Sequence, residues 1–190
     1  MSLYSSGNKS LIESNEAPLI AFYCSQKIPL PLFYSALKLF ENLIKKDIIF
    51  IGGWQSPIEK RFLKSFAENY KFSNGLVWVI GKDIKYFHLC NYLKNAFDSD
   101  KLLILSPFNK IKRITQKEVV IRDRFIMDKT KKAIFFYIYP GGRLESLSKQ
   151  WIARNKTVFV FENSPIPEEI KKRVETISQK RNFKIEGKSR

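Results

Sequence analysis

The sequence predicts an α/β chain in three layers, with helices on both faces of a mainly parallel sheet of about six strands. Short apolar runs alternate with helical patterns from one end of the chain to the other. Runs such as Ile48-Ile49-Phe50-Ile51 are apolar at every position, as strands covered on both faces require. Turns rich in glycine or proline follow several runs and lead into helices, the signature of strand-helix-strand crossovers.

Residues 1–17 are polar, rich in Ser and Asn and without periodicity, so they are expected to be a flexible leader. Leu19 to Cys24 is the first strand, and Pro29 and Pro31 suit the start of a helix. From Leu32 to Lys46, Phe33, Leu37, Phe40 and Ile44 recur at helical spacing, and strand Ile48–Ile51 follows. The pattern then repeats: helix Ser56–Tyr70, strand Leu76–Ile80, helix Tyr86–Ala96 and strand Lys101–Leu105. Helix Thr115–Lys129, strand Ala133–Tyr139, helix Leu144–Arg154 and strand Thr157–Phe161 complete it. A last helix is expected from Pro167 to Lys180, opened by Pro165 and Pro167. One domain over 18–182 results, with a basic tail over 183–190.

Composition narrows the function. No apolar run approaches the roughly 20 residues of a membrane span, and residues 1–7 lack a secretory signal pattern, so a cytoplasmic setting without a membrane partner is expected. The single histidine, His88, and the distant Cys24 and Cys90 build no metal knuckle, so no metal or cofactor is expected. Lys and Arg number 34 against 18 Asp and Glu, a net +16 that favours polyanions, nucleic acid foremost. An A+T-rich coding sequence also enriches lysine, and part of the excess then serves only as solvated surface.

In parallel sheets ligands sit beyond the carboxyl ends of the strands, which directs attention to four turns: Cys24-Ser25-Gln26-Lys27, Gly52-Gly53-Trp54-Gln55-Ser56, Ser106-Pro107-Phe108 and Pro140-Gly141-Gly142-Arg143. All four are expected on one rim. Gly52 and Gly53 allow positive φ and close backbone approach, while Ser56 and Pro57 open a helix whose free amides suit an anion. Ser56-Pro57-Ile58-Glu59 also satisfies a capping box, a structural use of Glu59 that competes with a catalytic one. Gly141 and Gly142 repeat the logic, with Arg143 offering a planar fork to phosphate and Glu145 close behind. Neither turn has the spacing of a dinucleotide fingerprint or a P-loop.

The order of these pieces resembles the superfamily that joins DNA-processing protein A (DprA, also called Smf) with the Lonely Guy (LOG, lysine-decarboxylase-like) phosphoribohydrolases. The resemblance runs from about Leu19 to Phe161 and rests on Cys24-Ser25-Gln26, on Gly52-Gly53, on Leu105-Ser106-Pro107-Phe108 followed by Arg122-Asp123-Arg124, and on Pro140-Gly141-Gly142-Arg143-Leu144-Glu145. DprA proteins carry Arg-Asn-Arg where this chain has Arg122-Asp123-Arg124, and LOG enzymes carry a third Gly and a Thr that the last loop lacks. The resemblance implies a Rossmann-like fold, a homodimer, and binding of single-stranded DNA in a role in DNA processing or recombination, without a chemical reaction. Phosphate contacts are then expected from Ser25, Gly52, Gly53, Gln55, Ser56, Ser106, Arg122, Arg124, Gly141, Gly142 and Arg143, with Trp54 or Phe108 stacking on a base. The alternative is a free nucleotide, sensed or cleaved at its glycosidic bond with Glu59 or Glu145 as acid or base.

Overall fold

The computed structural model describes residues 3–14 and 17–178. Its apolar runs form β2 (Leu19–Cys24), β3 (Ile49–Gly52), β4 (Leu76–Val79), β5 (Leu102–Ser106), β6 (Lys132–Tyr137) and β7 (Thr157–Phe161), all mutually parallel. Two short edge strands, β1 (Tyr4–Gly7) and β8 (Val174–Ile177), extend the sheet to eight in the order β1-β5-β4-β3-β2-β6-β7-β8. The chain builds outward from β2 to β5 and then returns to place β6 on the other side of β2. That reversal is the switch point at which such sheets open a crevice.

Alternate residues of each strand serve the two faces. Ile20, Phe22 and Cys24 of β2 meet one apolar layer, with α2 (Leu30–Ile44) and α3 (Pro57–Asn69) supplying Phe40, Leu43, Phe62 and Phe66. Ala21 and Tyr23 face the other, with Ile126 and Met127 from α5 (Gln116–Lys129) and Leu147 and Trp151 from α6 (Arg143–Ala153). Both layers are filled, which is why the strands are apolar throughout. Each buried Phe or Leu side chain contributes about 1.5–3 kcal/mol.

Three expectations need correction. Residues 4–7, read as part of a leader, pair antiparallel with β5, with Tyr4 opposite Ser106 and Gly7 opposite Leu103. Gly7 is needed there: its φ is +96°, and a Cβ would fall 2.3 Å from the Leu102 carbonyl oxygen. Residues 8–14 include the single turn α1 (Ser10–Glu13), whose Leu11 is buried.

The helix expected over 86–96 is broken into 3-10 turns at Ile84–Tyr86 and Asn91–Leu93, before the short α4 (Lys94–Asp98). Asp83 holds the first turn by accepting from the Lys85 and Lys110 amides at 3.0 and 2.8 Å, and Phe87 packs edge-on against Trp78. Tertiary contact prevails over local spacing.

The last expected helix is a 3-10 segment, Glu168–Arg173, leading into β8. Ile170, Val174 and Ile177 mimic helical spacing, yet Val174 to Ile177 pair with Val158 to Phe161. The expected basic tail over 183–190 lies outside the described residues. No helix among the described residues is long and apolar enough to cross a membrane.

Candidate functional site

The turns after β2 and β6 meet at the switch point. The Ser25 amide donates to the Tyr137 carbonyl at 3.0 Å, and the Ser25 hydroxyl accepts from the Tyr139 amide at 2.9 Å. The turn after β3 joins them through Glu59. One carboxylate oxygen of Glu59 accepts from the Cys24 amide at 3.0 Å, and the other accepts from the Gln55 and Ser56 amides at 2.6 and 2.9 Å. Ser56 in turn accepts from the Glu59 amide, closing the capping box predicted for α3. Burial pushes the Glu59 carboxyl up from its ordinary value, and the amide bonds and Arg122 pull it back. Glu59 thus fastens two strand-to-helix turns together.

Around this junction lies a cleft of about 240 Å³ lined by Ser25, Lys27, Gln55, Glu59, Arg122 and Arg143, among others. Arg122, 3% exposed, reaches it from α5 and packs against Gly53, where a Cβ would fall 2.3 Å from the guanidinium carbon. Asp123 receives Arg122 through one oxygen, with Nε and Nη2 donating at 3.1 and 2.9 Å, and receives Arg143 Nη1 through the other. Arg122 Nη1 is buried and has no hydrogen-bond partner. A buried guanidinium donor left in this way is a binding opportunity for an oxygen acceptor. The first-turn amides of Arg143 and Leu144 in α6 lack intrahelical acceptors and carry the positive end of the helix dipole.

A second cleft of about 470 Å³ adjoins the first at Gln55. It is lined by Gly53, Trp78, Phe87, Lys82, Lys112 and Arg113, among others, and by the exposed His88. The Trp78 indole N–H donates to the Gly53 carbonyl at 3.1 Å, and the Phe87 ring stands edge-on to Trp78 at 5.0 Å. Half-buried aromatic rings thus sit among cations beside the Gly53 turn.

Several residues singled out in the sequence occupy other places. Trp54 is 1% exposed, stacks on Phe22 and Phe62 at 5.9 and 5.2 Å, and donates its indole N–H to the Val77 carbonyl. Phe108 is also buried, so neither ring is exposed to stack on a ligand. The residue with positive φ in the Gly52-Gly53 turn is Trp54 at +51°, not a glycine. A Cβ at Gly53 would meet the Arg122 guanidinium at 2.3 Å, and one at Gly52 would press on the Phe22 carbonyl and the Trp54 ring, each at 3.1 Å.

Ser106 is fully buried, its hydroxyl donating to the Lys82 carbonyl and accepting from the Phe108 amide, and its turn lines neither cleft. Arg124 is exposed on α5 and, like Gly52, lines neither cleft. Gly141 takes φ +71°, but its amide donates to Glu145 at 2.7 Å, and the Gly142 amide donates to the Tyr139 carbonyl at 2.9 Å. Glu145 is held below its ordinary value by that Gly141 amide and by Lys149. The second cleft was missed because Lys82, Lys112 and Arg113 carry no motif, and Lys112 and Arg113 lie far from Tyr86 and Phe87 in the sequence, so only the fold brings them together. Among the described residues, no group of three or more His, Cys, Asp or Glu is arranged to hold a metal ion.

This reversed parallel sheet, with clefts at its carboxyl ends, has the DprA-like form of the Rossmann-like fold. It superposes on DprA from Streptococcus pneumoniae with a TM-score of 0.73 at 15% identity, covering 93% of this chain and 62% of that one. DprA from Helicobacter pylori, described for its single-stranded DNA binding mode, gives 0.71 at 14% identity over 92% of this chain and 80% of that one. The molybdenum cofactor carrier protein of Chlamydomonas reinhardtii gives 0.54 at 12% identity over 85% and 90%. At these identities the likeness is one of fold, and this chain spans less than two thirds of the pneumococcal chain. No protein-family model matches the sequence, and no curated protein does.

Proposed function

We propose that this protein binds single-stranded DNA, gripping a backbone phosphate in the switch-point cleft and holding neighbouring bases in the wider one, in the service of DNA processing or recombination. The observation that carries the reading is Arg122: a buried guanidinium, seated against Gly53 and held by Asp123, with Nη1 unpaired, in the cleft that Arg143 and the start of α6 also line. The +16 charge supplies long-range attraction to a polyanion. Trp78 and Phe87 offer rings for bases, with Lys82, Lys112 and Arg113 around them. The fold likeness to a protein described as binding single-stranded DNA supports the same reading.

A second reading, a free nucleotide-like ligand, draws on the fold likeness to cofactor carrier proteins. Hydrolysis of such a ligand has less support, since the Glu59 oxygens accept three amides and Glu145 is engaged by Gly141 and Lys149. Fluorescence anisotropy with a labelled single strand tests the proposal. Tight, salt-sensitive binding that weakens on the order of tenfold or more in Arg143→Ala is expected. Binding that is absent, or unchanged by Arg143→Ala, overturns it, and retention of a mononucleotide alone favours the second reading.

A further inference from the structure

Asp123 lies between the two arginines of the switch-point cleft. Its side chain is 2% exposed, and both of its oxygens are spent on arginines. The Nε/Nη2 edge of Arg122, one of the two edges by which a guanidinium grips a phosphate in a two-bond fork, is occupied by Asp123 Oδ1. Arg143 Nη1 is engaged by Asp123 Oδ2. What Arg122 has left for a ligand is its other edge, where both N–H groups of Nη1 are without a partner.

The charged groups around the cleft are Lys27, Arg122 and Arg143 against Asp123 and Glu59, so three cations face two carboxylates and one net positive charge remains. A phosphodiester carries a single charge and two non-bridging oxygens. A terminal phosphomonoester above its second pKa, about 6, carries two charges and three terminal oxygens. Moving from one charge to two doubles the attraction to a fixed site but roughly quadruples the cost of leaving water, because ion solvation scales with the square of the charge. A half-buried cleft with one net positive charge therefore suits the diester.

We infer that Asp123 makes this site selective for internal phosphodiesters over terminal phosphate groups, so that it reads the interior of a strand and discriminates against mononucleotides and 5′-phosphorylated ends. The inference rests on the phosphate-binding reading above and names the class of phosphate that reading leaves open.

Two ligands that share one nucleoside test it by calorimetry at about pH 8, where the monoester is doubly charged: thymidine 5′-(methyl phosphate) and thymidine 5′-monophosphate. The wild-type protein is expected to bind the methyl diester more tightly, on the order of tenfold. Asp123→Asn keeps the size of the side chain and removes its charge, and the preference is expected to shrink severalfold or reverse. Equal or tighter binding of the monoester by the wild-type protein overturns the inference, whatever the variant does. A folded Asp123→Asn protein with an unchanged preference overturns it too. If Asp123→Asn does not fold, the wild-type comparison decides alone. Failure of the underlying reading is a separate result, in which neither nucleotide nor a labelled single strand is retained.

Discussion

The guanidinium of Arg122 occupies the space that a side chain at Gly53 would fill, with a Cβ there falling 2.3 Å from Cζ and 2.5 Å from Nη1. Gly53→Ala is expected to displace Arg122 and destabilise the fold by about 1–3 kcal/mol, the usual cost of overpacking. Single-strand binding should fall with it. Urea denaturation and anisotropy on the same preparation check both parts, and a variant with native stability and binding would mean that Arg122 does not depend on Gly53.

Arg122 and Asp123 form an ion pair with side chains 4% and 2% exposed. Arg122→Met leaves the buried Asp123 with Arg143 as its remaining partner, so it is expected to cost about 1–3 kcal/mol. Adding Asp123→Leu removes the under-paired carboxylate and should recover part of that loss. A double-mutant cycle read by urea unfolding should give a coupling of about 0.5–3 kcal/mol, and additive losses would count against a tightly coupled pair.

Glu59→Gln replaces an all-acceptor carboxylate with an amide that has one oxygen to offer three N–H groups. A loss of about 1–3 kcal/mol is expected. The Glu59 carboxyl is raised in the folded state, so its proton-linked contribution is fully present below the unfolded pKa and is lost as pH rises through the folded one. The stability gap between wild type and Glu59→Gln should therefore narrow as pH rises from the ordinary glutamate range. A gap that widens over that range would show that the amide bonds outweigh burial and hold the carboxyl low.

Lys112 and Arg113 line the wider cleft on an exposed loop, so replacing both with Ala should leave thermal stability nearly unchanged. If both contact phosphates, the dependence of log affinity on log salt should flatten by about 1.4, at roughly 0.7 per phosphate for single strands. An unaltered slope would place the strand elsewhere.

Phe87, like Trp78, is a half-buried ring of that cleft. Phe87→Ala is expected to weaken single-strand binding by about 1–3 kcal/mol, the range for one stacked base. Trp54→Phe, in the core, should shift the unfolding midpoint far more than affinity. The reverse pattern would restore Trp54 as a ligand contact.

Much of the fold was legible because its signals are local. Six parallel strands lie within a residue or two of their apolar runs, and the Ser56/Glu59 capping box forms as its spacing required. The edges were not legible. Tyr4-Ser5-Ser6-Gly7 carries no strand pattern of its own and is ordered only by the free edge of β5, while Val174 to Ile177 carries helical spacing and is captured by β7. Short edge strands take their structure from a neighbour that sequence distance conceals.

The candidate site divides in the same way. Periodicity and turn chemistry, which act over a few residues, fixed the class of fold and pointed to the turns after β2, β3 and β6. Sheet order, decided by packing, selected which turns meet: Ser25 bonds to Tyr139 across 114 residues, while the Ser106 turn lines neither cleft. Packing likewise sank Trp54 into the core, set Trp78 and Phe87 in the cleft, and spent Glu59 on joining turns. It also placed Asp123 between two arginines. Local sequence specifies which segments form strands and helices; long-range burial and charge pairing decide which side chains remain free to bind.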